Sequence, residues 1–471
     1  PGTWVRWRLV NRTPRRLQGQ LVLALRPLQV NPPWQHGGVA AVTAAQWAVN
    51  GRAELQVNGR RYAQFSRQPA DARIGLLERE DVAAAVGQPA RRPPSPAAAG
   101  ADGLLSAAAS WPYDLAPGAQ VDLVAHLPAR QAQDTPPDAP TTVGFDAQRE
   151  AAAQAWRQRL SGLQVELPQP QWVHALKAQV AYTLLNQSGA ALMPGPRNYD
   201  RSFVRDGESS ARVLLRAGRA DDARRYLDWV ARHAVHADGL VSPILNVDGS
   251  VNRGFGSDLE YDSQGQFVSM VADVARLDGG AAAVSGHADA VRRALAHLER
   301  LRERTLVPGY RADAPAPGRF RGILPPSISH EGYATPQHSY WDDAWALKGW
   351  RDGAWLFDAW GDAEAAAWAR AQGDALRAAL AASVRVTMAW KGLLTLPASA
   401  DLGDGDPTSV AIMLEPTRQA GVLPADALRA TFDGYVAATR RRSAQPGSPG
   451  ASGAYTPYEF RNVPALLHLG R

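Results

Sequence analysis

Apolar and polar positions alternate with a period of two through the first part of the chain. Leu21-Val-Leu-Ala-Leu25, Ala53-Glu-Leu-Gln-Val57 and Val121-Asp-Leu-Val-Ala-His-Leu127 are short apolar or alternating runs separated by turn residues, among them Asn58-Gly59. Such runs predict strands, and an Asn-Gly pair between two of them predicts a tight hairpin because both residues tolerate positive φ. Residues 1–142 are therefore expected to form an antiparallel β-sandwich. Two proline-rich stretches, Gln88 to Pro96 and Asp134 to Pro140, carry too little apolar surface to pack and are expected to be long loops or partly disordered.

From Phe145 the spacing becomes helical, with Asp146 as an N-cap and an alanine-rich run to Leu160, giving a linker helix within 143–168. After Glu166-Leu-Pro168 the pattern predicts helices at 171–187, 202–217, 220–235, 260–276, 285–304, 341–359, 362–383, 408–415, 424–440 and 457–469. Links as short as Gly218-Arg219 and Gly361 imply antiparallel helix pairs, while longer loops at 236–258, 306–340 and 391–407 alternate with them. The fold class is α+β and multidomain: a sandwich followed, over 169–471, by a mostly α toroid whose long loops gather on one face as the mouth of a site. A closed ring of six hairpins needs about two more helices than the text supplies, so the chain is expected to be truncated at its C-terminus. The absence of an initiator Met, with strand-like text already at Trp4-Val-Arg-Trp-Arg-Leu-Val10, suggests that its start is missing as well.

At 471 residues and 45% hydrophobic content the chain can bury a large core. Its apolar runs are interrupted by Arg or Gly well short of the roughly 20 residues that span a bilayer, which argues against a membrane role. The net charge of +6 comes almost wholly from arginine, since lysine occurs only at Lys177, Lys348 and Lys391. These cations are scattered among acids rather than blocked, so no nucleic-acid partner is expected. No cysteine occurs, which excludes disulfides, thiolate metal sites and cysteine nucleophiles. No signal-like segment is visible; this slightly favours the cytoplasm and leaves compartment and oligomeric state open.

The stretch with most chemistry is His338-Ser-Tyr-Trp-Asp-Asp-Ala-Trp345, where two adjacent carboxylates sit between tryptophans at a helix start. A carboxyl group against an indole face has its charged form destabilised, and a neighbouring carboxylate acts in the same direction, so Asp342 or Asp343 can stay protonated and serve as a general acid. The competing reading is a helix cap with a salt bridge. Helical spacing spreads Trp341, Trp345, Trp350 and Trp355 around the axis, so some of them are core. Just upstream, Leu324-Pro-Pro-Ser-Ile-Ser-His-Glu-Gly-Tyr333 is a stiff loop carrying His330 and Glu331.

Four further clusters fall on the long-loop side. Arg197-Asn-Tyr-Asp-Arg-Ser-Phe-Val-Arg-Asp-Gly207 offers Tyr199, Arg205 and Asp206 either for sugar hydroxyls or as a structural ion-pair knot. Ser257-Asp-Leu-Glu-Tyr-Asp-Ser-Gln-Gly-Gln266 offers Glu260 and Asp262, with Asp258 or Asp262 alternatively caps, and Gln264 and Gln266 facing hydroxyls or solvent. The loop Leu396 to Ser409 carries Asp401, Asp404 and Asp406 without the spacing or closing glutamate of an EF-hand, so it is expected to line the site or cap the next helix rather than hold a metal. In Gly453-Ala-Tyr-Thr-Pro-Tyr-Glu-Phe-Arg461, Glu459 is the best resident candidate for the second carboxylate that glycosidic hydrolysis requires, the competing idea being a base beyond Arg471.

Together these stretches resemble the six-hairpin, or (α/α)6-barrel, glycosidases: glucoamylase-like, trehalase-like and glycogen-debranching enzymes. Phe203-Val-Arg-Asp-Gly207 is similar to the aromatic-x-Arg-Asp stretch that binds the nonreducing-end sugar in glucoamylases, which implies a subsite role for Arg205 and Asp206. Tyr340-Trp-Asp-Asp-Ala-Trp345 resembles both the Tyr-Trp-Asp-Ser-Tyr-Trp run of trehalases and the Trp-Glu-Glu of glucoamylases, whose first acid is the proton donor. That match implies Asp342 as donor and Asp343, with Tyr340, Trp341 and Trp345, as sugar-binding residues. The Arg26-Pro-Leu-Gln-Val-Asn-Pro-Pro-Trp34 stretch and the loop at 401–406 look like those of large uncharacterised bacterial glycosidase-like proteins. Aspartates stand where glucoamylases carry glutamates, and the base has no clear match. The expectation is an inverting glycoside hydrolase for glucose-containing or related oligosaccharides or polysaccharides, needing no metal or organic cofactor. The alternatives are a glycoside phosphorylase on the same fold and a noncatalytic carbohydrate-binding protein.

Overall fold

A computed structural model describes residues 2–28, 38–47, 52–79, 82–86, 97–129, 139–196, 199–253, 259–329, 333–444 and 457–471. The chain divides into two units, Pro1–Ser161 and Gly162–Arg471. The proline-rich stretch 88–96, most of 134–140 and most of the 26–34 stretch lie outside the described residues.

In the first unit the period-two text forms β1 (Gly2–Val10), β2 (Leu17–Leu25), β3 (Ala44–Trp47), β4 (Glu54–Val57), β5 (Arg60–Phe65), β6 (Asp71–Leu76), β7 (Ala97–Ala99), β8 (Leu105–Leu115) and β9 (Gln120–Pro128). They make two antiparallel sheets, ordered β1-β9-β5-β4-β3-β7 and β2-β8-β6. Side chains from both sheets share one core: Trp47, Leu55, Phe65 and Leu123 from the larger, Ile74, Ala107 and Trp111 from the smaller. Trp111 brings a polar edge into that core and donates its indole N–H to the Arg67 carbonyl at 3.0 Å. Asn58 and Gly59, at φ 52° and 75°, form the two-residue turn between β4 and β5. A short helix, α1 (Val82–Ala85), packs on β8.

The helix expected from Phe145 begins earlier, as α2 (Thr142–Arg159), and packs on β1 and β9. Thr141 is its cap, accepting from Gly144 N at 2.9 Å, while Asp146 pairs instead with Arg6 at 2.9 Å. Asp146, the expected cap, lies inside the helix and is taken up by an arginine of β1.

The second unit is helical: α3 (Pro170–Leu185), α4 (Val204–Arg216), α5 (Ala220–His233), α6 (Asp262–Leu277), α7 (Ala288–Leu306), α8 (Tyr340–Ala359), α9 (Ala363–Lys391), α10 (Pro407–Ala411), α11 (Ala425–Ala444) and α12 (Asn462–His468). Alternate helices pack side by side, α4 on α6, α6 on α8, α8 on α10 and α10 on α12, while α5, α7 and α9 pack on the members of that row next to them. The inner row is buried: α6 hides every residue from Asp262 to Ala272. Two glycines let α6 and α8 touch backbone to backbone, since a Cβ on Gly265 would lie 2.1 Å from the Trp345 carbonyl oxygen and one on Gly349 2.9 Å from Gly265 Cα. The long loops lead into the N-termini of α6, α8 and α10, and the short links Gly218-Arg219 and Gly361 follow the C-termini of α4 and α8. One side of the row thus collects the chemically rich loops. The helix expected at 362–383 runs on to Lys391 because Val384 and Thr387 are buried, and Gly392 at φ 64° ends it.

Candidate active site

The starts of three inner helices meet. Arg205 is the second residue of α4, Asp262 the first of α6 and Asp342 the third of α8. Arg205 Nη1 donates to Asp262 Oδ2 and to the Ser329 carbonyl, both at 2.7 Å, and its Nη2 lies 3.1 Å from Glu260 Oε2. The same Asp262 oxygen accepts from Trp341 Nε1 and Gln266 Nε2, each at 2.8 Å. These donors fix the orientation of the carboxylate and leave its Oδ1 without a hydrogen bond.

Asp342 is 0% exposed, and neither of its oxygens has a partner in hydrogen-bond geometry. Burial raises its pKa well above the usual carboxylate range, and the neighbouring charge of Asp262 adds to the shift. The Ser327 and Ser329 hydroxyls lie close enough to oppose this but not to cancel it, and Asp343 pushes in the same direction as Asp262. Asp343 faces elsewhere: one oxygen accepts from Leu324 N at 2.9 Å. Burial lifts it to about 7 against that bond and the charge of Arg302. Neither aspartate caps α8, whose N-cap residue is Ser339.

The other expected residues are distributed around this centre. Trp341 is buried, with the Arg205 and Arg461 guanidinium carbons 5.9 and 4.9 Å from its ring. Tyr340 turns its hydroxyl to Ser383 and Thr387 on α9, both at 2.8 Å, so that group is committed to helix packing. Trp345 is buried with its indole N–H unbonded. Asp206 sits half-buried in the first turn of α4, and Tyr199 is 48% exposed with its ring 6.0 Å from Phe203. His330, Glu331 and Asp258 lie outside the described residues.

The aspartate-rich loop is a set of separate braces. Asp401 accepts from His338 N at 2.6 Å and Nδ1 at 2.8 Å, Asp404 from Ser399 Oγ at 2.6 Å and the Tyr333 hydroxyl at 3.1 Å, and Asp406 caps α10 through Thr408 N at 2.9 Å. Burial pushes Asp401 up, but the bonds from His338 outweigh it and hold the carboxyl below its ordinary value.

Glu459, 7% exposed in the 3-10 turn Pro457–Arg461, is gripped by Arg442 through both oxygens at 2.9 and 2.7 Å and by the Tyr435 hydroxyl at 2.7 Å. It lines a cavity of about 500 Å³ with Asp406, Thr408, Thr395 and Thr431; Asp342 is not among the described residues lining it. Arg461, two residues on, reaches Trp341.

Sequence reasoning passed over Ser327, Ser329 and Arg461, and Gln266, expected to face hydroxyls or solvent, bonds Asp262 instead. The Ser-Ile-Ser spacing was the available signal, because residues two apart in an extended segment point to one side.

No protein-family model and no curated protein matches the chain. Among solved structures, it is similar to a bacterial glucoamylase complexed with acarbose, at 14% identity and a TM-score of 0.51, over 76% of this chain and 50% of the glucoamylase. A rhamnosidase from Klebsiella oxytoca with rhamnose bound matches at 14% identity and a TM-score of 0.43, over 99% of this chain and 84% of that one. A GH78 family rhamnosidase of Bacillus sp. GL1 matches at 14% and 0.43, over 98% and 40%. The likeness to the glucoamylase is one of fold alone, and this chain spans half of that enzyme's length.

Proposed function

We propose that this chain carries the site of an inverting glycoside hydrolase acting on glucose-containing or related oligosaccharides, with Asp342 as general acid. One observation carries the reading: a fully buried carboxyl with both oxygens unbonded, beside the Asp262 carboxylate that Arg205 and Trp341 hold in place. A purely structural aspartate would be bonded, because a buried polar group left unpaired costs stability. A carboxyl kept protonated by burial and a like charge is what donation to a glycosidic oxygen requires. The glucoamylase that shares the fold was solved with acarbose, which supports a carbohydrate ligand here. Asp342 is closed to water in the free chain, so this reading requires the substrate to open a path to it.

Glu459 is the proposed base. Asp342 gives its proton to the leaving-group oxygen as the bond to the anomeric carbon breaks. A water attacks the opposite face and yields its proton to Glu459, leaving the hemiacetal inverted. This geometry needs the two carboxyl groups about 6.5–9.5 Å apart.

A second reading, glycoside phosphorolysis, is favoured by the grip of Arg442 on both oxygens of Glu459, which diminishes its capacity to accept a proton. There, phosphate attacks in place of water and no base is required. An oligosaccharide panel assayed with wild type and Asp342→Asn, with and without phosphate, tests both readings. Hydrolysis lost in the variant supports the first, and turnover that appears only with phosphate supports the second. Activity unchanged by the substitution removes Asp342 as donor, and no turnover by wild type favours a binding protein.

A further inference from the structure

A second cavity, of about 470 Å³, opens further along the same inner helices. Arg212 and Arg216 come from α4, Arg276 from α6, Lys348 and Arg351 from α8, and Arg418 from the turn after α10. Measured along the helices at 1.5 Å per residue, those on α4, α6 and α8 lie about 9–21 Å from Arg205, Asp262 and Asp342 respectively.

The charges do not balance. Six cations line the cavity against Asp273, Asp352 and Glu415. Asp352 alone is shared by Lys348 at 2.6 Å, Arg276 at 2.9 Å and Arg351 at 3.9 Å, and Asp273 by Arg212 at 2.8 Å and Arg276 at 3.7 Å. With Glu208 counted, which Arg212 also grips, the cations remain two in excess. Arg216 makes no hydrogen bond or ion pair with a described residue. Arg351 is pushed below its ordinary pKa first by burial, and Arg276, Arg418 and Arg377 add to this.

Helix dipoles account for only part of this set. Arg216 and Arg276 lie in last turns, where a cation is favoured, but Lys348 and Arg351 are mid-helix. A network that merely tied the helices together would be neutral, because uncompensated like charges around one cavity repel. Guanidinium groups converging on a concavity are what a phosphate group meets with paired, charge-assisted hydrogen bonds. The volume is that of a small-molecule pocket.

We infer that this cavity binds a small phosphate-bearing anion of charge two or three, at a site separate from the candidate active site. The excess cations supply the charge, and Arg216 and Arg351 are the donors with most capacity left over.

The probe is pyrophosphate, titrated calorimetrically into the full chain at constant ionic strength, with citrate and sulfate in parallel. Saturable one-site binding is expected, weakened at least tenfold by Arg216→Glu and by Arg351→Gln and unchanged by Arg157→Gln on α2. Should Arg351→Gln fail to fold, Arg216→Glu decides alone, since the side chain it alters is exposed and unpaired. Absence of saturable binding, or affinity unaltered by Arg216→Glu, overturns the site. Citrate binding as tightly as pyrophosphate overturns phosphate as its ligand class.

Discussion

Trp341 donates its indole N–H to Asp262 at 2.8 Å, and that bond registers the start of α8 against the start of α6. The next residue, Asp342, is thereby held beside a carboxylate whose hydrogen bonds are already directed to Arg205 and Gln266. Asp262 can repel the charged form of Asp342 but has no donor to offer it.

Replacing Asp342 by Asn should therefore separate activity from stability. Loss of a general acid lowers kcat by about 10²- to 10⁴-fold. Because the native carboxyl has only the approach of the Ser327 and Ser329 hydroxyls and no well-aligned hydrogen bond, the substitution should move the unfolding midpoint by only about 2–4 °C. Steady-state kinetics and a thermal melt on one preparation check both. A collapse in stability alongside activity would mean that Asp342 is a structural residue.

Asp343 makes folding stability pH-dependent in a direction opposite to most carboxylates. Its folded pKa of about 7 lies above the roughly 3.9 of an unfolded aspartate, so between these values the folded chain holds a proton that the unfolded chain has lost. Stability is full below about pH 4 and falls as pH rises toward 7, by an order-of-magnitude total of about 4 kcal/mol. Urea unfolding at pH 4.5 and 7.5 should show this loss in wild type and a smaller one in Asp343→Asn. Equal pH dependence in the two proteins would contradict the assignment.

How much of this was readable beforehand follows from the kind of signal each feature leaves. The sandwich strands and the Asn58-Gly59 turn are local patterns and appeared where the period-two text put them. The end of α9 depended on burial of Val384 and Thr387, which a run of β-branched residues disguised as a stop, although Gly392 marked the true end. Arg205, Asp262, Trp341 and Asp342 were each legible as unusual residues at helix starts. Their mutual bonds were not, because these depend on three helices far apart in sequence approaching at glycine contacts. The grip of Arg442 on Glu459 was hidden for the same reason, since it joins α11 to a separate turn.

The glycine contact can be tested directly. Alanine at Gly265 would place its Cβ 2.1 Å from the Trp345 carbonyl, a backbone atom that cannot swing aside. Overpacking of this kind costs about 1–3 kcal/mol, and more where backbone must move. Gly265→Ala should sit at or above the top of that range in urea unfolding and also lower activity, since Trp345 is one turn beyond Asp342. Gly434→Ala on α11, where a Cβ meets nothing within 4 Å, should instead gain about 0.5–1 kcal/mol from helix propensity. Equal effects at the two positions would show that the α6–α8 contact is not tight.

Glu459 poses the sharpest choice between the two reactions. As the base of an inverting hydrolase it must take a proton from water, yet Arg442 and Tyr435 bind both of its oxygens. If it is the base, Glu459→Gln removes the acceptor while keeping the shape, and hydrolysis falls by about 10²- to 10⁴-fold with KM little changed. The amide can still accept from Tyr435, and Arg442 is partly exposed, so the fold should lose no more than about 1–3 kcal/mol. Phosphorolysis has no use for this proton acceptor and would survive the substitution. Initial rates with and without phosphate, together with the anomeric configuration of the first product by NMR, distinguish these outcomes. Hydrolysis retained at the wild-type rate would remove Glu459 from the chemistry and leave its bonds to Arg442 as a brace between α11 and the Pro457–Arg461 turn.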